Sequence, residues 1–297
     1  MKKRIDKIMA YKICKAQAEE WARYYGIYRV SNFNEWFSLS FQEEVDKYKR
    51  SEFCYWIVDN DNVKIGGAFI KPNMIKCIFV IPPYDKKKNL IDTIVLYAQS
   101  ISDKNRGIIV PDVELEDIEH FKRYSFKLDR IQKLMICPTK KIQVTWKENF
   151  KVLTPKIENR EKIAELFYES YSNGNFEYNA DTSYDSQLAG VQVYFNHIRR
   201  NNVPSEWSTL VYDTKSEKLV GACMVGLLNG LPYIIDFVVH SEFQGQKIGT
   251  KIMERTLNMF FNKYPYIRLN LIVGNDAESF YNKLGFISLA KKAYMIN

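Results

Sequence analysis

Apolar and polar positions alternate with two periods along this chain. Three short apolar runs bounded by turn residues, "STLVYD", "KLVGACMVGLL" and "LPYIIDFVVH", predict strands. The polar segment Thr214-Lys215-Ser216-Glu217 separates the first pair, and Asn229-Gly230, a hairpin signal, separates the second. Upstream, "FKVLT" predicts a strand. "IENREKIAELFYESY" predicts a helix with Ile163, Leu166 and Phe167 on one face, and a second helix falls near 184–200. Downstream, Ile252, Leu257, Phe260, Phe261 and Tyr264 recur at helical spacing from Ile248, in a helix that Pro265 ends. "IRLNLIV" then predicts a strand, "DAESFYNKL" a short helix stopped by Gly285, and "FISLAKKAYMI" a last strand.

The first half lies over the second. "FCYWIVD" and "KIGGAFI" align with "STLVYD" and "KLVGACM", with Asp59 opposite Asp213 and Gly67 opposite Gly221. Further on, at a slightly longer offset, Phe126 falls opposite Phe286 and Met135 opposite Met295. A longer hairpin around Asn229-Gly230 accounts for the change. A repeat of this length means two copies of one domain rather than a solenoid; two unrelated α/β domains are the alternative. The expected division is a first domain at 1–139, a linker at 140–149 and a second domain at 150–297, within a length comfortable for two domains.

Composition narrows the partners. Hydrophobic residues make up 46% of the chain, enough for a sizeable core, and aromatic residues 14%, which argues against disorder. The net charge of +8 suits an anionic ligand such as a nucleotide or phosphate, and nucleic acid less specifically; a lysine-rich soluble surface explains it equally. Five scattered cysteines without a C-x-x-C motif read as buried hydrophobes in a reducing compartment. Three scattered histidines give no zinc pattern, so no metal is expected. "MKKRIDKIMAYKICKAQ" lacks the apolar core of a signal peptide, and Asn229-Gly230, Pro232 and Asp236 break the most apolar stretch, so a cytoplasmic protein is expected.

The segment "FVVHSEFQGQKIGTKIM" delivers a strand end into glycines and a helix start. The first N–H groups of a helix have no internal partner, and its dipole places partial positive charge there. Glycines let a ligand approach such a turn, which can cradle a phosphate or pyrophosphate, with Lys247 and Lys251 adding charge. Many glycine-bearing strand–helix turns bind nothing, so the turn alone leaves both readings open.

Gln244-Gly245-Gln246-Lys247-Ile248-Gly249 resembles the acyl-CoA loop of the GNAT superfamily of N-acetyltransferases, [QR]-x-x-G-x-[GA]. "NDAESFYNKLGF" resembles the same family's later motif, a helix carrying Phe-Tyr before Leu-Gly-Phe. Lys247 stands where the family carries glycine, and Gly274 where it carries asparagine, with Asn275 one place later. The resemblance implies two tandem GNAT-like domains of α/β (α+β) class, each a mixed, mostly antiparallel sheet flanked by helices. It implies a pyrophosphate on the amides of Gly245, Gln246, Lys247, Ile248, Gly249 and Thr250 beside Gln244. It also implies a pantetheine arm along Phe237, Val238 and Val239, with Asn275 as a further contact.

By the same resemblance the chain would transfer an acetyl group from acetyl-CoA to a primary amine by direct attack. Tyr281 would be the general acid on the leaving thiolate, with Asp236 a candidate to deprotonate the amine and Glu242 and Asp276 weaker ones. Acceptor specificity would come from "YSNGNFEYNADTSYDSQ", whose Tyr171, Phe176, Tyr178 and Tyr184 lie among Glu177, Asp181 and Asp185. The first half carries Tyr84-Asp85-Lys86-Lys87-Lys88-Asn89 in place of the loop and Phe121 in place of Tyr281, so it reads as a non-catalytic copy. Another acyl donor, a longer acyl-CoA or aminoacyl-tRNA, and a CoA-sensing protein without catalysis remain alternatives; no membrane partner is expected.

Overall fold

The computed structural model describes residues 11–30, 41–172 and 182–297. These residues divide into two compact units, one within 1–133 together with Leu289–Asn297, and the other within 134–288.

The first unit contains the strands β1 (Lys12–Lys15), β2 (Cys54–Val58), β3 (Lys64–Lys71), β4 (Met74–Val80) and β5 (Ile109–Val113). Its helices are α1 (Ala18–Tyr25), α2 (Phe41–Tyr48), α3 (Lys87–Ile101) and α4 (Ile118–Lys122). The strand β6 (Lys127–Pro138) starts in this unit and ends in the other. The second unit continues with β7 (Phe150–Leu153), α5 (Arg160–Ser172), α6 (Tyr184–Arg200), β8 (Thr209–Asp213), β9 (Leu219–Leu228) and β10 (Leu231–Val239). It closes with α7 (Ile248–Met259), β11 (Tyr266–Ile272) and α8 (Ala277–Leu284), after which β12 (Ile287–Ile296) leads back to the first unit.

In the first unit the strand order is β1-β2-β3-β4-β5-β12, and in the second β6-β11-β10-β9-β8-β7. Within β1–β5 and β7–β11 the pairs are antiparallel except β4 with β5 and β10 with β11, which are parallel. β12 closes the first sheet, with Ala293 opposite Val113 and Met295 opposite Val110. The last strand, counted from sequence with the second half, therefore completes the first unit, while the end of β6 completes the second. The cores follow this exchange. Ala293 and Met295 are fully buried among Leu90, Ile94 and Val110, whereas Met135 and Cys137 are fully buried among Leu257, Ile267 and Phe286.

Local signals account for the hairpins and helix ends of the second unit. Asn229 and Gly230 both take positive φ, 53° and 73°, as a tight two-residue hairpin requires. Gly285, at φ 96°, ends α8 by turning left-handed. The helix expected to run to Pro265 stops at Met259. Asn262 enters the left-handed region, and Phe260 and Tyr264 pack their rings against Trp207 instead, at 4.8 and 5.7 Å.

Among the described residues, no helix is long and apolar enough to cross a membrane.

Candidate active site in the second unit

β10 pairs with β11 only at Tyr233–Arg268 and Ile234–Leu269, although both strands continue. Beyond Ile234 they diverge into a fork. On its other edge β10 stays paired with β9, but a bulge interrupts the register. Ile234 opposes Val225, the next pair is Asp236 with Met224, and Ile235 is extra. The fork opens into a cavity of about 930 Å³ lined by Asp236 to Val239, the turn after β10, and Asn275, Phe280 and Tyr281.

At one end of the cavity lies the start of α7. Lys251 N–H to the Lys247 carbonyl, 3.0 Å, is the first helical bond, so the amides before it keep the outward aim of a helix N-terminus. Gly245 takes φ 76° and Lys247 φ 64°. For a lysine this left-handed conformation costs about 1 kcal/mol or more. At Gly249 the constraint is space rather than dihedrals: an added Cβ would lie 3.2 Å from the Phe237 ring, a tight contact that the ring would relieve by shifting a few tenths of an ångström. The turn is anchored from behind by His240. Its Nδ1 accepts from the Glu242 amide at 3.3 Å, and its Nε2 lies 3.0 Å from both the Glu169 carboxylate and the Lys218 ammonium.

Asp236 and Tyr281 also line the cavity. Burial pushes the Asp236 carboxyl up to about 6, opposed by hydrogen bonds from the Tyr171 hydroxyl and the Phe237 amide. Tyr281 is buried, and burial, followed by Cys223 and Asp236 nearby, raises its phenol well above the ordinary value. Its ring packs against Phe280 and Phe286, at 5.3 and 5.5 Å. The cavity thus holds one acid that gives up its proton near neutrality and another that keeps it, a pairing that separates a base from an acid.

The acetyltransferase (GNAT) domain family matches residues 182–295. This chain carries a GNAT domain. Comparison with curated proteins gave no match. Among solved structures, a GCN5-related N-acetyltransferase from Sphaerobacter thermophilus is 11% identical with a TM-score of 0.69, over 97% of this chain and 95% of its own. A tandem GNAT protein from the clavulanic acid biosynthesis pathway is 11% identical with a TM-score of 0.56, over 97% and 98%. A GNAT-family acetyltransferase from Colwellia psychrerythraea is 13% identical with a TM-score of 0.55, over 96% and 98%. At these identities the likeness to solved structures is one of fold, and that fold is a tandem of two GNAT-like domains. The chain is an acyltransferase by its GNAT domain.

Within the GNAT domain, the cavity brings together Asp236, Phe237, Val238, Val239, Gln244, Gly245, Lys247, Ile248, Gly249, Thr250, Asn275 and Tyr281. The Val238 and Ile248 side chains are buried in the core, although both residues line the cavity. Gln246 is exposed and does not line the cavity. Gln244 folds back to donate to the Val239 carbonyl at 3.3 Å, and the Asn275 side chain accepts from the Ala277 amide at 2.8 Å. Lys251, read from sequence as added charge for the turn, instead donates to the Thr145 carbonyl. Of the weaker base candidates, Asp276 lines the cavity and Glu242 does not. Phe176, Glu177, Tyr178 and Asp181 lie outside the described residues.

Sequence reasoning placed Tyr171 among the acceptor aromatics but missed it as the partner of Asp236, and it missed Phe280 as a cavity wall. Phe280 was legible in principle, since it precedes Tyr281 in the recognised motif. The Tyr171 contact joins α5 to β10 and has no local sequence signal.

In the first unit, β4 and β5 likewise pair at one position, Met74–Ile109, but the counterpart of the glycine turn differs in its chemistry. Lys87, the first residue of α3, ion-pairs with Glu114 and, at 2.7 Å, with Asp117. Arg29 binds Glu114 and the Asp112 carbonyl, both at 2.7 Å. None of residues 84–89 takes positive φ.

Proposed function

We propose that the chain transfers an acetyl group from acetyl-CoA to a primary amine, with the active site in its second unit. The observation that carries this reading is one cavity with unpartnered helix N-terminal amides at one end and Asp236 with Tyr281 along its walls. An anionic diphosphate suits the amides of Gly245 to Thr250. The fork suits an extended arm, because from Asp236 onward the β11-facing edge of β10 has no strand partner.

Acetyl-CoA supplies the acyl group as a thioester. Asp236, deprotonated above about pH 6, takes a proton from the incoming ammonium, so that a neutral amine attacks. Tyr281, protonated throughout the physiological range, donates toward the departing sulfur. The Val239 amide, at the fork, is the candidate donor to the thioester carbonyl. The first unit is the non-catalytic copy. All five cysteines are free, four of them buried, which suits the reducing cytoplasm we propose for this protein.

Calorimetry with acetyl-CoA, followed by acetylation assays over an amine panel, tests the reading. Binding with turnover supports it. Binding without turnover on any amine means a CoA sensor, and no binding means another acyl donor.

A further inference from the structure

We propose that Tyr171 is the positioning residue for Asp236, the partner that keeps this carboxylate oriented and charged at the cavity wall. The catalytic consequence rests on the reading of Asp236 as the base, whereas the pairing itself does not.

The surroundings of Asp236 carry the argument. It follows the bulge at Ile235, on the edge of β10 where β11 has diverged. The titratable groups that face it are Tyr171 from α5, Tyr281 from α8, Cys223 from β9 and Tyr233 from its own strand. Each is neutral in its ordinary form at pH 7. Among the described residues no cation acts on Asp236, so hydrogen bonds alone offset the cost of burying its charge. Two donors do so, the Phe237 amide and the Tyr171 hydroxyl. The amide belongs to the backbone and is present whatever residue follows Asp236. Among the described residues, Tyr171 is therefore the one side chain that hydrogen-bonds the anion.

Packing sets the Tyr171 ring in place. It lies in the last turn of α5, one turn beyond Phe167, which is buried and in ring contact with it at 6.0 Å. A hydrogen bond to an ionised acceptor is roughly twice as strong as one between neutral groups, so this contact favours the carboxylate over the acid. A carboxylate has about four acceptor sites. Two donors leave capacity on Asp236 for the proton of an amine in the cavity.

The test is a carboxyl-carbon NMR titration of the full chain labelled with ¹³C-aspartate. The resonance lost in Asp236→Asn identifies the group. It should titrate near 6 in the parent protein and about one pH unit higher in Tyr171→Phe, which keeps the ring and removes the hydroxyl. Unchanged remaining aspartate resonances report a retained fold. An unmoved or lowered midpoint overturns the proposal. A second measurement follows the acidic limb of acetyl transfer from acetyl-CoA to benzylamine, which should move with the NMR midpoint. If the midpoint moves but the parent protein acetylates no amine, the pairing stands and the acetyltransferase reading fails. If the midpoint moves and transfer occurs with an acidic limb that ignores it, the pairing stands and the reading of Asp236 as the base fails.

Discussion

Asp236 on β10 and Tyr281 on α8 line the same cavity, and burial raises the proton affinity of both. Starting from different ordinary values, the two groups end on opposite sides of neutrality. Tyr281→Phe should therefore lower turnover by about 10²-fold or more, the usual scale for a lost general acid, while leaving the affinity for acetyl-CoA within about twofold. Steady-state kinetics beside calorimetry would check this. Unchanged turnover would remove the acid role.

Asp236 also links pH to stability. Its folded carboxyl, at about 6, lies above the ordinary value of 3.8, so the folded state binds this proton more tightly than the unfolded chain does. The resulting stability is fully present below about pH 3.8 and is lost as pH rises through 6. Asp236→Asn removes this titration and retains an acceptor for Tyr171. Denaturant melts at pH 7.5 should show the variant more stable, by on the order of 2 kcal/mol, with the difference shrinking towards pH 4. An equal or less stable variant at pH 7.5 would mean that the carboxylate is not desolvated.

Gly249 separates shape from charge at the turn. Gly249→Ala places a methyl 3.2 Å from the Phe237 ring and 3.5 Å from Phe280, and should weaken acetyl-CoA binding modestly. Gly249→Asp adds a negative charge beside the same amides and should weaken it by about tenfold more, a difference that shrinks at high salt. Equal losses in the two variants, measured by calorimetry, would show that no anion sits there.

Stoichiometry tests the first unit. At the start of α3, Lys87 pairs with Glu114 and Asp117, and Arg29 pairs with Glu114, whereas no positive-φ turn precedes that helix. Calorimetry of the full chain should give one acetyl-CoA per polypeptide. Gly249→Asp should diminish that single event, and a persistent second event would show that the ion pairs yield to ligand.

Much of this arrangement was legible in the sequence. The Asn229-Gly230 turn, the helix over 184–200 and the C-terminal stop at Gly285 follow from local chemistry, and the structure has all three. The turn before α7 carried both a physical signal and a family resemblance. The unread features depend on partners distant in the chain. The bulge at Ile235 exists only in the register of β10 against β9, and Tyr171 finds Asp236 only once α5 has docked. Lys251 looked like a phosphate ligand because the sequence does not show that Thr145 reaches it. Alternating residues in "FISLAKKAYMI" announced a strand without saying which sheet it would enter.

That last ambiguity has a practical side. Met135 and Cys137, fully buried in the core beside Tyr281, precede the linker in sequence, while Ala293 and Met295 of the first unit's core follow the second unit's residues. An expression clone spanning 150–297 would carry every proposed catalytic group yet leave a slot in the hydrophobic interior. It would also present an unpaired strand edge, a hazard for aggregation. Such a fragment should precipitate or remain inactive when made alone, and co-expression with 1–149 should rescue it. For this polypeptide the smallest heritable working unit is both halves together, whatever the chemistry of one of them has become.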